Sequence, residues 1–289
     1  MLTTITMAVI LVCQQAKSET YPRADLLIEP VDWVKKPAAA QSFRILDART
    51  QAQYMAGHVP DAVWVDHDKW NKTFRNDQSA EAWSKLIGGL GIDIGTPVVV
   101  YDDNGTNAAR IWWILRYWGV KDARLLNGGW TAWKTAGGEI DKAEAVAAFK
   151  KPRLTRQVGR LADKSDVLQM LKAKKSQIVD VRSQGEFCGE DKKAKRNGAI
   201  PSALHLEWKE AIDPKTKRMK PAGELRKLLA DAGINLDRPT VTYCQSGGRA
   251  AMMAFTLELM GAKNVRNYYR SWSEWGNDPE TPIIVPKKR

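Results

Sequence analysis

Cysteine is scarce in this chain, with three in 289 residues, at positions 13, 188 and 244. That number cannot build a disulfide framework, and neither a Cys-x-x-Cys pair nor a Cys/His cluster at metal-ligand spacing occurs. No metal and no other cofactor is therefore expected. Long apolar runs are missing as well. The stretch from Leu2 to Cys13 is apolar, but at about a dozen residues it falls short of the roughly 20 that a bilayer span requires. Nucleic-acid-binding motifs are absent too, although Lys and Arg outnumber Asp and Glu by 45 to 33 and leave a formal net charge of +12. Such an excess draws anions of any kind toward the chain. The basic residues are scattered apart from Lys192-Lys193-Ala194-Lys195-Arg196 and the terminal Lys287-Lys288-Arg289, which read as a solvated loop and a solvated tail. Small anions, and not nucleic acid, are the expected partners.

What the chain does have is one thiol in an unusual setting. Cys244-Gln245-Ser246-Gly247-Gly248-Arg249 follows an apolar β-run, Val241-Thr242-Tyr243. After it, Ala250, Met253, Ala254 and Leu257 share one helix face, and Gly261 supplies the stop. Main-chain N–H groups at a helix N-terminus are unpaired and point into the preceding loop, where the helix dipole adds partial positive charge. A thiol held there ionises readily and becomes a nucleophile. The glycine pair lets the loop close tightly, and Arg249 supplies a planar, permanent cation. The competing reading is a small buried hydrophobe with a packing role only, which gives the glycines and the arginine nothing to do.

The chain also repeats itself. Asp47-Ala48-Arg49 mirrors Asp180-Val181-Arg182, and Gly57-His58-Val59-Pro60 mirrors Gly198-Ala199-Ile200-Pro201. Val100-Tyr101-Asp102 mirrors Thr242-Tyr243-Cys244, and Trp130 and Trp133 mirror Trp272 and Trp275, all at an offset of 142 residues (244 minus 102). The Asp-x-Arg offset is 133 (180 minus 47), so the second copy carries extra residues after it, and Cys188 lies there. Cys188 reads as a packed thiol, with a redox partnership to Cys244 as the alternative. Trp112, Trp113 and Trp118 read as core or inter-domain packing, and His58 as structural.

Four residues between Cys244 and Arg249, together with the tandem repeat, resemble the two-domain rhodanese family, sulfurtransferases that carry sulfur as a cysteine persulfide. Phosphatases of related fold place five residues between cysteine and arginine. The shorter cradle suits a single sulfur atom and disfavours a phosphatase or arsenate reductase. The resemblance spans roughly residues 22 to 289. It implies an α/β chain of tandem rhodanese-like domains, each a central parallel β-sheet flanked by helices. The alternation of short β-runs (Phe43 to Leu46, Val98 to Tyr101, Ile178 to Val181, Val241 to Tyr243) with helical stretches predicts the same class. Residues 22–143 form one domain, 144–157 the linker around Lys150-Lys151-Pro152-Arg153, and 158–289 the other. Asp102 stands where the thiol would be, so the first copy is expected to be catalytically silent.

The resemblance further implies that Cys244 takes sulfur from thiosulfate or a similar donor and passes it to cyanide or a thiol. Arg249 would hold the anionic donor, and the main chain of residues 245 to 249 the persulfide. Gln245, Ser246, Gly247, Gly248 and Arg182 are the further candidate contacts, while Asp180 reads as a structural partner of Arg182. Glu186 stands where the family often carries another donor-binding cation. The neutral Gln-Ser-Gly is nearer to mercaptopyruvate-using members. Alternatives are thus a 3-mercaptopyruvate sulfurtransferase, or a persulfide carrier serving a protein partner. The chain is expected to act as a monomer. Residues 1–21 read as a signal peptide or disordered segment, which implies export to the periplasm or cell envelope, with the cytoplasm as the alternative.

Overall fold

The computed structural model describes residues 20–287. Most of the signal-like segment, Cys13 included, and the last two basic residues lie outside them. Both copies build the same sheet. In the first, β1 (Leu27–Ile28), β2 (Arg44–Asp47), β3 (Val63–Trp64), β4 (Val98–Tyr101) and β5 (Ala123–Leu126) pair in the order β1-β5-β4-β2-β3. In the second, β6 (Leu161–Ala162), β7 (Gln177–Asp180), β8 (Leu204–His205), β9 (Thr240–Tyr243) and β10 (Val265–Tyr268) pair as β6-β10-β9-β7-β8. Every pair is parallel. This is the α/β tandem architecture that the sequence predicts.

Helices cover both faces of each sheet. They are α1 (Pro30–Lys35), α2 (Gln51–Ala56), α3 (His67–Asn76), α4 (Ala80–Gly89), α5 (Thr106–Tyr117) and α6 (Gly129–Thr135) in the first copy. The second has α7 (Lys164–Ala173), α8 (Gln184–Phe187), α9 (Ala222–Asp231), α10 (Gly248–Leu259) and α11 (Ser271–Trp275). Among the described residues no helix is long and apolar enough to cross a membrane. The central strands β4 and β9 are buried along their whole length and rich in β-branched residues, as strands covered on both faces must be. The order of each sheet turns back beside its central strand, and loops at the carboxyl ends of strands around such a reversal are where open α/β sheets place ligands. The Cys244 loop and its counterpart at Asp102 both sit there.

The outer face of each sheet has its own small core, but the inner faces share one apolar cluster that runs through both copies. Its seam is α5 against α10. Trp112 meets Phe255 edge-on at 5.0 Å, and Trp113 stacks on Tyr269 at 5.5 Å, which gives the buried tryptophans the packing role read from sequence. Residues 144–157 carry no helix or strand and are pinned by main-chain bonds from Lys150 to Gly88 and from Gln157 to Tyr117.

Two readings need correction. Arg196 does not belong to a solvated loop: its guanidinium donates to the carbonyls of Trp275, at the end of α11, and of Asp278 and Thr281 in the segment that follows. Tyr21, placed with the leader, instead packs on the second copy and donates to Lys220 O at 2.8 Å.

Candidate functional site

β9 ends at Tyr243 and α10 begins at Gly248, so the chain must reverse around Cys244 within four residues. The thiol lies at the floor of that loop, with 1% of the residue exposed. The amides of Gly247 and Ser246 point at Sγ from 3.1 and 3.4 Å. Gly247 caps α10 with φ +88°, and a Cβ there would lie 2.7 Å from Tyr269 O, so only glycine fits. The loop is anchored from behind: Trp272 N donates to Cys244 O, Ser273 N to Gln245 O, and Cys244 N to Ser271 Oγ at 3.1 Å. Ser271 Oγ also approaches Sγ to 4.0 Å, and this buried serine is held at φ +52°, a strained conformation for a residue with a side chain.

The first copy shows what an anion does in such a loop. Asp102 folds its own carboxylate into the nest, accepting from the amides of Gly105 at 2.5 Å, Asn107 at 2.8 Å and Ala108 at 3.2 Å. Burial pushes this carboxyl up to about 6, against the pull of those donors. At the 142-residue offset Gly105 corresponds to Gly247, and Asn107 and Ala108 to Arg249 and Ala250. One carboxylate oxygen therefore uses the amide that faces the sulfur in the second copy. The other uses amides whose counterparts open α10 and have no acceptor inside their own helix. The first copy's loop thus holds the two oxygens of one carboxylate on three main-chain amides.

The structure does not bring every predicted contact to this point. Asp180 accepts Arg182 Nε at 3.0 Å, Nη2 at 2.5 Å and the Tyr243 hydroxyl at 2.5 Å, and Arg182 also reaches Gly198 O. Arg182 is 1% exposed and stacks over Trp272 at 4.3 Å. Asp47, Arg49, Tyr101 and Trp130 repeat the whole arrangement in the copy without a thiol, which makes it architecture. Arg249 is within the loop's reach, but both of its Nη groups are engaged by Glu186, at 2.6 and 2.9 Å. Burial works against the Glu186 carboxylate, yet the hydrogen bonds and charge of Arg249 hold it below the usual carboxylate range. Glu186 also closes the capping box of α8 with Ser183. Gln245 reaches away from the thiol, donating to Lys193 O at 3.0 Å. Cys188 is buried and accepts from Gln184 Nε2, a packed thiol. His58 stacks on Tyr54 and bonds main-chain oxygens of Tyr54 and Ala143.

Sequence reasoning missed Ser271 and Arg110. Ser271 had a signal in the repeat: its counterpart Gly129 also has positive φ, at 53°.

Comparison with known proteins matches this geometry to a family. The model of the rhodanese-like domain matches twice, at residues 30–136 and 163–278. The chain is similar to a sulfur carrier protein, TtuD, of Thermus thermophilus, with 35% identity over 91% of this chain and 98% of that one. It is also similar to the thiosulfate sulfurtransferase of Azotobacter vinelandii, with 32% identity over 89% and 96% of the two chains. Among solved structures it resembles EanB carrying a cysteine persulfide, in a tetrahedral intermediate state with ergothioneine. That likeness has a TM-score of 0.82 and 26% identity, and covers 92% of this chain and 72% of that one.

Proposed function

The chain belongs to the rhodanese family of sulfurtransferases, and from that premise we propose that Cys244 carries a single sulfur atom between a thiosulfate-like donor and cyanide or a thiol. The thiolate attacks the outer sulfur of the donor. A new S–S bond forms, the donor's own S–S bond breaks, and sulfite leaves with its electron pair. The acceptor then attacks the outer sulfur, and the enzyme thiolate is released. The observation that carries this reading is the pair of amides aimed at Sγ. By analogy with the Asp102 carboxylate, the amides of Arg249 and Ala250 would hold the outer sulfur, where charge accumulates. Incubation with thiosulfate, and separately with 3-mercaptopyruvate, should add one sulfur, about 32 Da, to the Cys244 peptide. No gain with either compound refutes the proposal.

The Glu186–Arg249 pair favours mercaptopyruvate as a second donor, because it removes a free cation that a dianion would seek. The pair stands at neutral pH. Since the Glu186 carboxyl is held low in the folded chain, the pair's contribution is present at neutral pH and is lost only in acid, as pH falls through and below the ordinary glutamate range. Glu186→Gln releases the charge of Arg249 without acid. The expected result is a KM for thiosulfate lowered about fivefold, the effect of roughly 1 kcal/mol, with a smaller change for mercaptopyruvate. An unchanged thiosulfate KM excludes this role. Delivery of the persulfide to a protein is the remaining alternative, and a single burst of thiocyanate without sustained turnover would favour it.

A further inference from the structure

We propose that Arg110, carried by the first copy, is a positioning residue for the Cys244 loop of the second. Arg110 lies on α5, is 8% exposed, and crosses the seam to α10. Its Nη1 donates to Ser246 O at 3.0 Å and to the Tyr269 hydroxyl at 3.0 Å, and bonds Asn71 Oδ1. The Tyr269 hydroxyl in turn donates to Asn71 Oδ1 at 3.0 Å, so the guanidinium is braced from both copies.

The Ser246 carbonyl and the Gly247 N–H belong to one planar trans peptide unit, so they point in opposite directions. Holding the carbonyl toward Arg110 therefore aims the amide at Sγ, 3.1 Å away. A cation on the carbonyl side also polarises that peptide and makes its N–H a stronger donor. No carboxylate lies within ion-pair distance of Arg110 among the described residues, so its acceptors are neutral and its charge uncompensated. The loop has adapted to it: a Cβ on Gly248 would lie 2.5 Å from the guanidinium.

The repeat supplies an internal control. At the 142-residue offset the counterpart of Arg110 is Met252 (252 minus 110), and Met252 lies under the first copy's loop, its sulfur 3.3 Å from a Cβ built on Gly105. Each helix thus supports the loop of the other copy. The loop bearing the thiol receives an arginine, and the loop bearing Asp102 a thioether.

The charged and titratable groups facing Cys244 are Arg249 from α10 and Tyr269 from the end of β10, with Arg110 and Arg75 behind Tyr269. The inference concerns how the loop holds the thiol, so it is testable without a sulfur donor and can fail while the persulfide reading stands. In the full chain, the rate of Cys244 alkylation by iodoacetamide is followed against pH on its peptide by mass, alongside thermal stability. Arg110→Met should move the midpoint of that profile upward by about one pH unit. It should also lower kcat for thiosulfate about tenfold with little change in KM, and Arg110→Lys should recover most of both. A profile of Arg110→Met that overlays the native one, whatever its thermal stability, overturns the proposal. Should that variant not fold, Arg110→Leu, which fills the seam but donates nothing to the Ser246 carbonyl, decides: an upward shift supports the role, and an unshifted profile overturns it.

Discussion

Sulfur transfer in Cys244→Ser is expected to fall at least about a thousandfold, to the level of the uncatalysed reaction, because removal of a covalent nucleophile costs a rate factor of that order or more. A serine hydroxyl keeps the size of the thiol but does not ionise near neutral pH and cannot store sulfane sulfur. The fold should be untouched. Cys244 N is held by Ser271 and Cys244 O by Trp272, and both bonds use the main chain. Thiocyanate production from thiosulfate and cyanide measures the rate, and intact mass shows whether any persulfide forms. Substantial transfer by the serine variant would sink the mechanism, since Cys188, the other cysteine among the described residues, is buried elsewhere in the second copy.

Asp180→Asn should produce the largest loss of stability. Arg182 is 1% exposed and Asp180 fully buried, so the variant leaves a guanidinium without its counter-charge in the interior. Breaking a buried pair by removing one partner costs about 3–5 kcal/mol. Tyr243 loses its charged acceptor in the same step. Denaturant unfolding should show the drop, and the fraction that remains folded should keep the native KM for thiosulfate. A loss under about 1 kcal/mol would mean that the pair contributes little, and a raised KM would return Arg182 to the list of donor contacts.

How much of this was legible in sequence depends on distance along the chain. The repeated Asp-x-Arg and the matched tryptophans announced two equal sheets, because the same short motif recurs wherever the same strand end must be tied down. The thiol loop was legible for a similar reason, as its strand, its glycines and the start of its helix are contiguous. Glu186 and Arg249 were each visible, but their contact spans 63 positions (249 minus 186) and no local rule joins them. Arg110 did leave a trace. It is a lone charge in the otherwise apolar run Ala108-Ala109-Arg110-Ile111-Trp112-Trp113, and a charge at the centre of a buried helix needs a partner somewhere. Arg196 was misread because a cluster of cations looks solvated until the carbonyls it satisfies are seen.

The seam between α5 and α10 has a symmetry of its own. Nine of twelve residues on α5 and eleven of twelve on α10 are hidden from water, and the helices support each other's loops reciprocally, i to j and j to i. Such reciprocity is the signature of an isologous two-fold contact. Within this one chain the two halves therefore meet as two subunits meet across a two-fold axis. The halves are not identical: one holds the thiol, and the other places Arg110 against its partner's loop. Cutting at Pro152 would bare a flank of each half that is apolar along α5 and α10 and not suited to face water alone.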